Sequence, residues 1–137
     1  MKRVVVDTNV IASFLTNRNA SQQAKAAALL DAAQGRQVEI VVPQIVLAEL
    51  LYVLQNLYGV SREETAATLH DLLALPGLQT MDALSWARVL ELWPGVLPDF
   101  ADAALVAICE EARLDAVATF DAAFRRRLPR LKLASYW

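Results

Sequence analysis

Lys2-Arg3-Val4-Val5-Val6-Asp7-Thr8-Asn9-Val10-Ile11 changes periodicity within ten residues, and that change decides the fold. The β-branched run up to Val6 is short, ends at a polar pair and predicts a buried strand. Val10, Ile11, Phe14 and Leu15 follow at helical spacing, so Asp7 stands at the carboxyl end of the first strand. The same alternation continues down the chain. An alanine-rich helix is expected from Ser21 to about Ala33, stopped at Gly35, followed by a β-branched strand over Val38 to Val42. Pro43 does not extend a central ladder and suits the start of a helix over Gln44 to Leu57, which Gly59 ends. Ser61-Arg62-Glu63-Glu64 reads as a capping box opening another helix, and Pro76-Gly77 breaks it. Leu78 to Met81 predicts a short third strand, and Asp82 is expected to cap a helix running to about Trp93.

Pro94, Gly95 and Pro98 make an irregular connection into Asp99-Phe100-Ala101-Asp102, which opens a helix carrying Leu105, Val106, Ile108 and Cys109. Ala116 to Thr119 is a compact apolar strand with Asp121 just past its end, and Leu131 to Ala134 is expected to form a last short strand. Strands alternating with helices pair in parallel through right-handed crossovers. The fold class is therefore α/β, a three-layer α/β/α domain with a mostly parallel central sheet, and residues 1–137 are expected to form one domain.

Composition narrows the function classes. At 56% hydrophobic, the chain has the apolar content of a packed domain and not of a disordered one. Cys109 is the single cysteine, which excludes an internal disulfide and a cysteine zinc site, and its apolar surroundings suggest a small buried hydrophobe. Asp7 interrupts the first apolar stretch too soon for a signal peptide, and no apolar run reaches the ~18 residues that span a membrane. The expectation is a soluble cytoplasmic domain without membrane contact. The formal net charge of −2 does not advertise a nucleic-acid binder, since phosphate affinity comes mainly from Lys and Arg. Basic residues do bunch at Arg125, Arg126, Arg127, Arg130 and Lys132, either as a solvated helix end or as a phosphate-contacting patch.

Four acids are distant in sequence but placed alike. Asp7 and Asp121 follow strands directly, Glu49 lies early in the helix after the second strand, and Asp102 opens a helix. Ligands of open parallel sheets bind beyond the carboxyl ends of the strands, and all four acids are expected on that rim. Carboxylates so gathered repel one another unless a cation is present. An all-oxygen set suits Mg2+ or Mn2+, and the one histidine, His70, lies mid-helix away from the rim. Such ions align water and stabilise the leaving oxygen in phosphodiester hydrolysis. Each acid also has a plainer role: Asp7, Asp99 or Asp121 as helix N-caps, Asp102 as the acidic partner of a capping arrangement. Glu49 interrupts the apolar run Ile45 to Leu51, and if buried there it needs a partner that no nearby Lys or Arg supplies.

Taken in order, these segments resemble the motifs of PIN domains. Val4 to Ile11 is similar to the family's opening strand and aspartate. Val42-Pro43 through Glu49-Leu50-Leu51 is similar to its second acidic motif, Asp99-Phe100-Ala101-Asp102-Ala103-Ala104-Leu105 to its third, and Ala118-Thr119-Phe120-Asp121 to its fourth. The resemblance implies an endoribonuclease dependent on Mg2+ or Mn2+, with Asp7, Glu49, Asp102 and Asp121 as metal ligands or water-orienting groups. It also implies hydrolysis to a 5′-phosphate and a 3′-hydroxyl. Asp102 matches the family's helix start better than Asp99, which either joins the cluster or caps the helix. Asn9 and Thr119 would support the acids by hydrogen bonds, and Arg125, Arg126, Arg127 and Arg130 would hold RNA. Many small members of the family are VapC-like toxins held by a protein antitoxin and often dimeric, so an antitoxin and a homodimer are the implied partners.

The sequence departs from two other acid-bearing folds. Receiver domains place adjacent acids after the first strand, and haloacid-dehalogenase-like phosphatases place Asp-x-Asp there; here Asp7 is followed by Thr8 and Asn9. The alternative from another class is a catalytically silent PIN-like binding or scaffold module whose acids only cap helices.

Overall fold

The computed structural model describes all 137 residues. The chain runs β1 (Lys2–Val6), α1 (Thr8–Leu15), α2 (Ala20–Gln34), β2 (Val38–Pro43), α3 (Gln44–Asn56), α4 (Arg62–Leu73), β3 (Leu78–Met81), α5 (Trp86–Leu92), α6 (Phe100–Glu111), β4 (Ala116–Ala118) and α7 (Ala122–Arg127). A 3-10 turn over Leu128–Leu131 follows. The four strands form one sheet of order β3-β2-β1-β4, every pair parallel, with Val4 opposite Ile40 on one side and Ala116 on the other. Val4, Val5, Val6, Ile40 and Val42 are wholly buried, the apolar run on both faces that a parallel sheet between helices requires.

The order of the strands places the layers. The path β1→β2→β3 moves outward in one direction, so right-handed crossovers put α1 to α4 on one face. The return from β3 to β4 reverses direction and carries α5 and α6 across the other face, where α6 packs on β1 and β4. The α/β/α expectation is met. That reversal leaves β1 and β4 as neighbours whose connections depart on opposite sides, the place where open α/β sheets present a crevice.

Several local expectations give way to particular residues. Asp82 does not cap the fifth helix; Ser85 does, its hydroxyl accepting the Arg88 amide at 3.4 Å, and the helix ends at Leu92. Two residues, Ala83 and Leu84, separate Asp82 from that cap, and β3 completes its pairing through Met81, opposite Pro43, immediately before Asp82. Pro43 thus closes β2 as well as preceding α3, so its missing N–H falls at the end of the strand and not within it. Helix α2 begins at Ala20, one residue before Ser21, because Asn19 caps it, accepting the Gln22 amide at 3.0 Å. Leu131 to Ala134 forms no strand. Pro129 and the left-handed Lys132 (φ 60°) turn the chain instead, leaving one parallel bridge between Val117 and Ser135. Gly77 is required where it stands: φ is +82°, and a Cβ there would lie 2.5 Å from the Ala33 carbonyl oxygen.

Cys109 is buried as expected and His70 is exposed. Trp137 stacks on Phe120 with ring centroids 4.7 Å apart, fastening the chain end beside the β4 exit. Helix α3 buries Val46, Leu47, Leu50 and Leu54 within the subunit and leaves Tyr52 exposed. No helix is long and apolar enough to cross a membrane.

Candidate active site

Asp7 leaves β1 with its backbone amide still bonded to the Ala118 carbonyl of β4 at 2.9 Å. Both of its carboxylate oxygens accept hydrogen bonds. Oδ1 accepts the Thr8 amide at 2.8 Å and so caps α1, while Oδ2 accepts the Thr119 hydroxyl at 2.7 Å and Asn9 Nδ2 at 3.2 Å. Asn9 also donates to Thr119 Oγ1 at 3.2 Å and accepts the Phe120 amide at 3.0 Å. Thr119 Oγ1 in turn accepts the Asp121 amide at 3.1 Å. Asn9 and Thr119 therefore tie the exits of β1 and β4 together around Asp7.

Asp121 caps α7, its Oδ1 accepting the Ala123 and Phe124 amides at 2.9 and 3.2 Å. Asp99 caps α6 in the same manner, accepting the Asp102 amide at 3.2 Å. For both, the second carboxylate oxygen makes no protein hydrogen bond. Asp102 sits in the first turn of α6, only 7% exposed, and its carboxylate accepts no hydrogen bond from the protein. Glu49 is exposed on α3, so the partner that a buried glutamate would need is not required; the apolar face of α3 passes to either side of it.

Electrostatics shows which acids share a field. Burial raises the Asp7 pKa, its hydrogen bonds from Thr119 and Thr8 lower it, and the charges of Asp121 and Asp99 raise it again. Asp102 is pushed up to about 7, first by burial, then by repulsion from Asp99, Asp7 and Asp121, with Arg127 opposing. Glu49 is raised by partial burial and by Asp7 and Asp99. Asp7, Asp102 and Asp121 thus share one field, Glu49 feels Asp7, and Asp99 acts on Asp7, Glu49 and Asp102. As they stand, no three acids are drawn tightly enough to enclose an ion. The donor chemistry nevertheless fits a hard divalent cation: oxygen ligands only, several unshared oxygens, and mutual repulsion that a cation would relieve.

Two further groups bear on these acids. The Thr8 hydroxyl is buried without a fully formed hydrogen bond, yet lies near enough to Glu49 to lower that carboxyl slightly. Arg127, the last residue of the helix that Asp121 caps, is the cation that bears on Asp102. Its neighbours Arg126 and Arg130 line with it a cavity of about 210 Å3. Arg125 does not line that cavity, which divides the four arginines expected to act together.

Residues 4–127 match the family model described as PIN domain. Comparison with curated proteins yields no sequence match. Among solved structures, VapBC2 from Rickettsia felis, bound to a DNA fragment from its promoter, superposes with a TM-score of 0.66 at 18% identity, covering 97% of this chain and 96% of that one. VapC20 from Mycobacterium tuberculosis, a toxin that cleaves the sarcin–ricin loop, gives 0.62 at 19% identity over 88% and 92% of the two chains. PAE2754 from Pyrobaculum aerophilum gives 0.61 at 17% identity over 92% and 79%. At these identities the structures speak to the fold.

Proposed function

The chain belongs to the PIN domain family, and on that premise we propose that it is an endoribonuclease dependent on Mg2+ or Mn2+, acting as one domain over residues 1–137. The observation that carries the reading is Asp102: buried, accepting no hydrogen bond, and pushed up to about 7 by burial first and by three neighbouring acids next. A carboxyl so placed is an expense to the fold unless something positive completes it.

Asp102, Glu49, Asp121 and the free oxygen of Asp99 would hold the ion together with Asp7. When bound, a divalent cation supplies charge neutralisation at a scissile phosphate and activation of water. The chain's own residues do the rest. Thr119 and Asn9 fix the Asp7 carboxylate, so its orientation is set before any ligand arrives. Asp121 is held by α7, which carries Arg126 and Arg127 to the same side of the sheet. Arg127 offsets the charge at Asp102, and Arg126, Arg127 and Arg130, the three of the four arginines that line one cavity, supply the positive surface along which RNA lies.

VapC20's cleavage of the sarcin–ricin loop supports RNA as the substrate, and the VapBC2 complex supports a toxin working with an antitoxin partner. We assign this chain the toxin role in the cytoplasm, as a homodimer. Cleavage of a structured RNA pool tests the enzyme: wild type cuts only with Mg2+ or Mn2+, and Asp7→Asn, folded by circular dichroism, does not. Undiminished metal-dependent cutting by Asp7→Asn would falsify the assignment.

One observation favours a second reading, a catalytically silent PIN-like binding module. Asp7, Asp99 and Asp121 all cap helices, so part of the acidic set has structural work of its own. Capping does not explain Asp102 or Glu49, and a silent module binds no Mn2+ at these residues.

A further inference from the structure

The cavity beside the acids is lined by Ala123, Arg126, Arg127 and Arg130 and by no carboxylate. None of the three arginines forms a salt bridge or a side-chain hydrogen bond, although Arg3 and Arg88 elsewhere find glutamates. The cause is spacing. Residues 123, 126, 127 and 130 recur at three- and four-residue intervals, so α7 and the turn after it present them on one side. Arg125 falls off that side and lines nothing. Three like charges around about 210 Å3 repel one another, and only an anion relieves all three. Guanidinium forks match a phosphate group, whose oxygens accept paired N–H bonds.

We propose that Arg126, Arg127 and Arg130 hold one internal backbone phosphate of the RNA, distinct from the phosphate being cleaved. The inference rests on the ribonuclease reading for the identity of the strand, and it adds the position. The acids lie outside the cavity, while Arg127 is close enough to act on Asp102, so the two phosphates belong to one short stretch of strand. The pocket then sets how the strand enters the site, and Arg125 takes no part.

The test is binding, not turnover. A short unstructured fluorescein-labelled RNA is titrated in EDTA against the Asp7→Asn protein, with and without added Arg126→Ala and Arg130→Ala, across a salt series. The double substitution is expected to weaken binding roughly ten-fold and to flatten the log–log salt slope by about 0.7, the value for one phosphate of a single strand. Arg125→Ala in the same background leaves both quantities unchanged. RNAs ending in a 5′-hydroxyl and in a 5′-phosphate are expected to feel the double substitution equally. Equal loss from Arg125→Ala, an unaltered slope in the double variant, or an effect confined to 5′-phosphorylated RNA each overturns the proposal. Failure of the nuclease reading looks different: binding behaves as described, yet wild type with Mn2+ cuts nothing.

Discussion

Asp7 and Asp102 are equally shielded, each 7% exposed, and they are treated in opposite ways. Asp7 receives hydrogen bonds from an amide, a hydroxyl and a carboxamide, the shortest at 2.7 Å. Asp102 receives none and sits at about 7. Burial alone therefore does not define the site. One carboxylate is positioned by the protein and the other is left for a ligand, and a metal centre needs both kinds: an oriented group that fixes geometry and unshared oxygens that supply charge.

The largest effect that sharpens this contrast is on cleavage. Asp7→Asn and Asp102→Asn should each lower the metal-dependent rate by at least about 10²-fold, since loss of a ligand exceeds the usual 10- to 100-fold effect of a supporting partner. Thr119→Val comes next. It removes the donor at 2.7 Å from Asp7 without touching an acid, and we expect a fall of roughly 10-fold or more in rate, measured under saturating Mn2+. If Thr119→Val were silent while Asp7→Asn was inactive, the oriented half of the comparison would fail.

The stability effect has the opposite sign and a defined pH window. The folded protein keeps a proton on Asp102 up to about pH 7, whereas the unfolded chain releases it near the ordinary aspartate value of 3.8. Between those limits the folded state binds more protons, so stability without metal declines as pH rises through the window and levels off above it. Asp102→Asn removes this decline. Thermal unfolding in EDTA should find the variant more stable than wild type by about 1–3 kcal/mol at about pH 8, and nearly equal to it at about pH 4. A wild type that gains stability steadily from pH 4 to 8, with no benefit from Asp102→Asn, would show that Asp102 has a partner in solution. The smallest effect belongs to Glu49→Gln, an exposed residue, which should weaken Mn2+ binding less than Asp102→Asn does.

Much of this was legible because chain order and strand ends are local signals. The β-branched runs of β1 and β2, and acids directly after β1 and β4, foretold the rim on which Asp7 and Asp121 stand. Asp99 illustrates why capping and site readings were inseparable in sequence: it caps α6 through one oxygen and bears on Asp7, Glu49 and Asp102 as a charge. Other features depend on three-dimensional placement. Glu49 lies within an apolar stretch, yet its direction on α3 turns it outward, which counting apolar neighbours did not resolve. Asp82 and Ser85 are both competent caps, and the choice between them rests on how far β3 stays paired with β2. The separation of Arg125 from its three neighbours required knowing which side of α7 faces the cavity.

The most direct test of the central claim is calorimetric titration of Mn2+ into metal-free wild type and Asp102→Asn, in buffers of different ionisation enthalpy near pH 7. The account predicts that wild type binds Mn2+ with release of about half a proton from Asp102, which has to ionise to take part, and that Asp102→Asn loses both the affinity and that release. Equal binding by the two proteins without proton release would contradict it.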